Sequence, residues 1–231
     1  MQHIVEREAA SLEEADLPRA LPLIRGRGVE PGLPDGFQAR GPFGGGRTEA
    51  AVISMYGIVV SESVRVAGDR LDDAIVAYVK RRYNLLIGDR TAEEMKINIG
   101  AAVPLEQELK MDVRGRDQIT GLPKTITVTT SDVTAAIQDS LATIVSVVRT
   151  VLERTPPELA SDVIDRGIVL TGGTALLRHL DILLTQETGI PCQIAENPVD
   201  CVAIGAGVAL EYLDVIKRSL PTEEETLVAS Y

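Results

Sequence analysis

The longest regular pattern in the chain places apolar side chains at Val133, Ile137, Leu141, Ile144, Val148, Val151 and Leu152. That three-to-four-residue spacing, kept for about five turns, predicts one long amphipathic helix opened by Ser131 and Asp132. Pro156 and Pro157 end it, and residues 158–165 read as a short helix of their own. Leu71, Ile75, Tyr78 and Val79 share one face of a helix over 69–82. Thr91, followed three positions later by Glu94, has the form of a capping box, so another helix is expected over 92–99, stopped by Gly100. Short β-prone runs at 50–55, 57–61 and 63–66 predict a three-stranded meander that turns at Tyr56-Gly57. Residues 105–113 and 124–129 read as two strands around a turn-rich 114–123. Farther on come a strand at 167–170, a glycine turn, an amphipathic helix over 176–184, a strand at 191–195 and a last core helix over 203–216. Strands joined by crossover helices, with a small unit inserted near 68–130, make an α/β protein.

Composition narrows the function. A chain of 231 residues with 45% hydrophobic content fills one large domain or two small ones. Trp is absent and aromatics are only 3%, so Val, Ile, Leu and Ala must build the core. A net charge of −11 argues against nucleic acid as a partner and against an electrostatic membrane anchor. Cys192 and Cys201 fit no metal-binding spacing and are expected to be free thiols. No run approaches the ~20 apolar residues of a membrane span, and the N-terminus has no signal-peptide core. A cytoplasmic chain with no direct membrane segment is expected.

Residues 1–43 form a separate, atypical segment. Arg7, Arg19, Arg25, Arg27 and Arg40 alternate there with Pro18, Pro22, Pro31, Pro34 and Pro42. A short helix fits 4–15, while the glycines and prolines make 25–42 read as irregular or disordered. At the other end, 218–231 reads as a solvated acidic tail containing Glu223-Glu224-Glu225.

Two glycine turns carry the candidate chemistry: Gly44-Gly45-Gly46-Arg47-Thr48-Glu49 and Thr171-Gly172-Gly173-Thr174-Ala175. Glycine lets the backbone approach a phosphate or purine, and a helix start supplies free N–H donors. Each turn alone is equally an ordinary connection, and neither has the spacing of a P-loop or a dinucleotide fingerprint, which disfavours a Walker-type NTPase. Asp69 and Asp72 read as acids at a helix start rather than a metal pair. Glu93 and Lys96 read, on their own, as an exposed helical ion pair. His179 draws no role. No paired carboxylates, Ser/His set or metal cluster stands out, so no catalytic or metal residue is assigned and an independent enzyme is disfavoured.

The wording of several segments is more specific than their pattern. The run from Gly44 to Ser54 resembles the second phosphate loop and following strand of the MreB family, the bacterial actin homologues. So do Asn84 to Lys96 and Thr155 to Ala160; Val169 to Arg178 resembles that family's adenosine motif, and Asn197 to Gly205 its last βα unit. The resemblance covers 44–215 in unbroken order and implies an actin-like ATPase fold, second lobe only. On that reading 44–67 and 131–217 form the core lobe and 68–130 the inserted α+β subdomain. It implies ATP, with Mg, as cofactor and membrane-associated filaments that shape rod-like cells. Gly44, Gly45 and Gly46 would meet the β- and γ-phosphates. Glu93, Glu94 and Lys96 would reach the adenosine from the inserted subdomain, and Gly172, Gly173, Thr174 and Ala175 would line it from the other side.

Departures from the family pattern point to impaired hydrolysis. No first phosphate loop of the Asp-x-Gly-Thr type and no first lobe are found, and Glu13-Glu14 is followed by Ala15 where a Glu-Glu-Pro turn would carry the catalytic Glu. Pro42-Phe43 replace the acidic residue expected before the glycines, Arg47 replaces a Thr, and Thr174 a Gly. The strand before Gly44 is missing too, which would leave the sheet an unpaired edge. A partial MreB-like protein that joins or forms filaments is therefore expected, with cell-shape and wall-synthesis proteins as partners by resemblance. The alternative is a non-catalytic module that binds intact MreB filaments and regulates them without nucleotide.

Overall fold

The computed structural model describes residues 21–25, 46–54 and 57–211. Two sheets organise them. The larger has five strands in the order β3-β2-β1-β7-β8, with β1 Leu21–Arg25, β2 Thr48–Ser54, β3 Gly57–Val64, β7 Ile168–Thr171 and β8 Cys192–Ile194. The smaller has three, in the order β4-β5-β6: β4 Leu85–Leu86, β5 Lys110–Asp117 and β6 Pro123–Thr129. Helices α1 Gly68–Tyr83, α2 Asp89–Ile99, α3 Thr130–Arg154, α4 Pro157–Arg166, α5 Leu180–Thr188 and α6 Cys201–Glu211 complete the order.

The expected sheet edge is filled. β1 pairs antiparallel with β2 and parallel with β7, so Leu21–Arg25 supplies a strand before Gly44 where none was expected. A run of five residues rich in Leu and Ile supplies the ladder. The helix expected over 4–15 and the tail beyond 211 lie outside the described residues, as does the expected irregular stretch 25–42 except for Arg25, which ends β1 instead. The three-stranded meander is instead one hairpin: Ser61 and Ser63 belong to a single edge strand, because the polar positions alternate with the half-buried Val60, Glu62 and Val64.

Three helix starts also differ from expectation. α3 is capped by Thr129, whose hydroxyl accepts from the Asp132 backbone N–H while the Asp132 carboxylate accepts from the Thr129 N–H. Ser131 takes no part in that box. α2 begins at Asp89 with Gly88 as its cap, one half-turn before Thr91, and no side chain caps it. The helix expected over 176–184 is split: a 3₁₀ turn Gly173–Leu176 comes first, and α5 opens only after His179, which is left-handed at φ 62°.

α3 is the spine of the fold. Its buried Val133, Ile137, Leu141, Ile144, Val148 and Val151 pack on β2, β3, α1, α2 and α5. By length and composition alone it would cross a membrane, contrary to the expectation that no such run exists; here its apolar stripe is core. Leu71, Ile75 and Val79 of α1 and Val113 and Val128 of the small sheet join the same cluster. At Gly115 the strand passes so close to Leu85 and Leu86 that a Cβ would collide with the Leu86 carbonyl oxygen. Cys192 and Cys201 are free thiols, as expected.

Candidate functional site

The second glycine turn sits where the β7 chain leaves the large sheet. Gly172 has φ 83°, a region an L side chain occupies only at a cost, and its N–H donates to the Pro198 carbonyl at 2.6 Å. Gly173 is exposed, Thr174 half-buried and Ala175 buried. The last βα connection thus buttresses the turn from behind.

The other predicted half lies on α2. Glu93 and Glu94 are exposed, and Glu94 pairs with Arg90 at 3.3 Å. Lys96 does not pair within its own helix. Its ammonium donates to Asp72 Oδ2 at 2.7 Å and to the Gly68 carbonyl at 3.2 Å, both on the first turns of α1. The side chains of the pair are only 16% and 14% exposed, so this is a mostly buried bridge between helices rather than the solvated helical pair expected. Asp72 is therefore neither half of a metal pair nor a simple helix-start acid. Burial raises its carboxyl above the usual range, against the opposing pull of Lys96, with Glu93 and Asp69 adding to the rise.

A third group, Arg178, ties the two halves together. Its guanidinium donates to the carbonyls of Ile97 at 2.9 Å and Gly100 at 3.3 Å, closing the C-terminus of α2. Its own carbonyl accepts from the Ala102 N–H at 2.8 Å, and Ala101 bridges to Arg178. Thr134 on α3 donates to the Ala101 carbonyl at 2.9 Å. The chain just beyond the glycine turn and the end of α2 are thus one joint. Sequence reading recorded Arg178 without a role and missed Asp72 as the partner of Lys96. The signal for Asp72 was an acid at a helix start; its partner lies 24 residues away.

Three buried side-chain polar atoms among the described residues lack a partner: Asp72 Oδ1, Thr171 Oγ1 and Thr174 Oγ1. All three fall on these same elements, the first turns of α1 and the glycine turn. A buried unpaired group costs about 1–3 kcal/mol, so each of these calls for a ligand or water. Hydroxyl donors and a carboxylate acceptor suit the hydroxyl-rich, phosphorylated surface of a nucleotide. No group of three His, Cys, Asp or Glu side chains among the described residues stands together to hold a metal. Of the first glycine turn, Gly44 and Gly45 lie outside the described residues; Gly46 is half-buried, and Arg47 donates to Ser63 at 3.2 Å.

The chain resembles known proteins over most of its length. The MreB/Mbl protein family matches residues 42–218. The chain is 51% identical over 178 residues to the cell shape-determining protein Mbl of Bacillus cereus, covering 77% of this chain and 54% of that protein. It is 52% identical over 181 residues to the cell shape-determining protein MreB of Escherichia coli K12, covering 78% and 52%. It therefore spans about half the length of the curated relatives it matches. Among solved structures, MreB 5 of Spiroplasma citri bound to AMPPNP has a TM-score of 0.75 at 33% identity, covering 88% of this chain and 56% of that one. The MamK double helical filament, at 18% identity and a TM-score of 0.62 over 83% of this chain, shares the fold. The actin-like fold implied by the motifs is borne out.

Proposed function

The chain belongs to the MreB/Mbl family, and from that premise we propose that it is a cell-shape protein that binds ATP, with Mg carried by the nucleotide, and assembles into or onto filaments. The observation that carries this reading is the pair of unpartnered buried hydroxyls, Thr171 Oγ1 and Thr174 Oγ1, on the glycine turn that Arg178 joins to α2. On this reading the nucleoside lies between α2 and the 3₁₀ turn, beside the exposed Gly173. The solved Spiroplasma citri relatives bound to AMPPNP and to ADP support nucleotide chemistry in this family. Filament association takes place in the cytoplasm, through self-association or intact MreB filaments, with wall-synthesis proteins as further partners.

Isothermal titration of MgATP into the chain tests this reading, with Gly173→Glu as the control. Gly173 is exposed, so a Glu side chain there projects from the turn without entering the core. The expected result is saturable heat from wild type and at least tenfold weaker binding by the variant. A folded wild type that gives no heat, yet sediments with MreB filaments, would instead establish the nucleotide-free regulatory module.

A further inference from the structure

The Asp72–Lys96 bridge does more than join two helices. An ammonium has three N–H donors, and in Lys96 two are spent, on Asp72 Oδ2 at 2.7 Å and on the Gly68 carbonyl at 3.2 Å. The third has no partner among the described residues. Both acceptors belong to α1, so the helix start fixes the direction in which that last donor points. A free lysine would sample many rotamers, and a ligand that used it would have to freeze them at binding. Here that ordering is complete before any ligand arrives. Glu93, one turn earlier on α2, is close enough to act on the Asp72 charge.

We propose that Asp72 is a positioning residue for nucleotide binding: it holds the Lys96 ammonium against the start of α1, so that the remaining N–H is aimed at the nucleoside. This deepens, and rests on, the nucleotide-binding reading above. The feature that marks the pair as more than structural is its asymmetry. Asp72 Oδ2 is taken, whereas Oδ1 is buried without any donor. A bridge serving stability alone would satisfy both oxygens, because a half-satisfied buried carboxylate is costly. Asp72 thus holds the lysine at the expense of one of its own hydrogen bonds.

The test uses the full chain and MgATP titration of wild type, Asp72→Asn, Lys96→Met and the double variant, each checked for fold by circular dichroism and thermal melting. Asn keeps the shape of Asp, and Met keeps the apolar stem of Lys, so both variants retain the packing. Asp72→Asn is expected to weaken binding about tenfold, the scale of one charge-assisted hydrogen bond. Lys96→Met is expected to weaken it as much or more, and the double variant no further than Lys96→Met alone. Asp72→Glu, with a longer arm to the same ammonium, is expected to recover part of the loss. Additive losses, or Asp72→Asn with wild-type affinity, would overturn the positioning role while leaving nucleotide binding intact. Absence of binding by folded wild type would overturn both, and is distinguished by the wild-type titration itself.

Discussion

At the scale of single residues the chain concentrates its polar interactions at a few carboxylates. Asp132 is the clearest case: it accepts from the hydroxyls of Tyr83 at 2.8 Å and Tyr78 at 3.1 Å while also closing the box at the start of α3. Burial would raise its carboxyl, but the Tyr83 hydroxyl, the Thr129 N–H and hydroxyl and the Tyr78 hydroxyl outweigh it and hold it below the usual range. The same contact works in reverse on Tyr83, whose phenol is pushed up to about 12 by burial and then by the Asp132 charge. A phenol raised above its unfolded value of about 10 favours the folded state below that pH, and the contribution is lost as pH climbs through 12. Tyr83→Phe is therefore expected to be less stable than wild type at pH 9, with the gap closing between pH 10 and 12. Urea unfolding midpoints at those pH values measure it, and a gap that stays constant would show that the phenol does not feel Asp132.

Between elements, the legible and the hidden part company. The stripe of α3 was readable because 3.6-residue periodicity is a property of one segment, and its observed buried face uses the same residues. Its cap was misplaced by two positions because Thr129, Ser131 and Asp132 all favour helix starts, and only the paired hydrogen bonds decide among them. Thr129→Ala is accordingly expected to cost about 1 kcal/mol, or roughly 2–4 °C in Tm for a chain of this size, whereas Ser131→Ala should stay within about 0.5 kcal/mol. Thermal melts of the two variants side by side measure it; equal losses would remove Thr129 from the cap. Strand β1 was not legible for a different reason. Leu21–Arg25 stands among prolines, glycines and arginines, and its partners Ala50–Ile53 and Val169–Thr171 are remote in sequence, so nothing local marks it as a central strand. The Asp72–Lys96 bridge was hidden likewise: both residues were seen, each with the wrong neighbour, because helical spacing reports contacts along one helix and not between two.

Across the whole molecule, the glycine turn meets the end of α2 at a joint made by one side chain and one backbone bond. The glycine turn and α2 were both singled out from the sequence as nucleotide contacts, yet no pattern in the chain says that they touch. Arg178 makes the connection by closing the α2 carbonyls of Ile97 and Gly100, and the backbone bond from Ala102 to Arg178 holds it from the other side. Only the first of these contacts is lost in Arg178→Ala. The fold should therefore survive with a Tm lower by about 2–4 °C, the scale of roughly 1 kcal/mol for partly exposed hydrogen bonds. Amide exchange offers a sharper view. The end of α2, residues 97–102, should open faster in the variant while β2 and β3 keep wild-type protection, because local opening follows the contacts that are removed. If the candidate site spans the joint, MgATP affinity should fall together with that protection. Faster exchange with unchanged affinity would place the nucleotide on the glycine turn alone, and would make α2 a structural neighbour instead of a wall of the site.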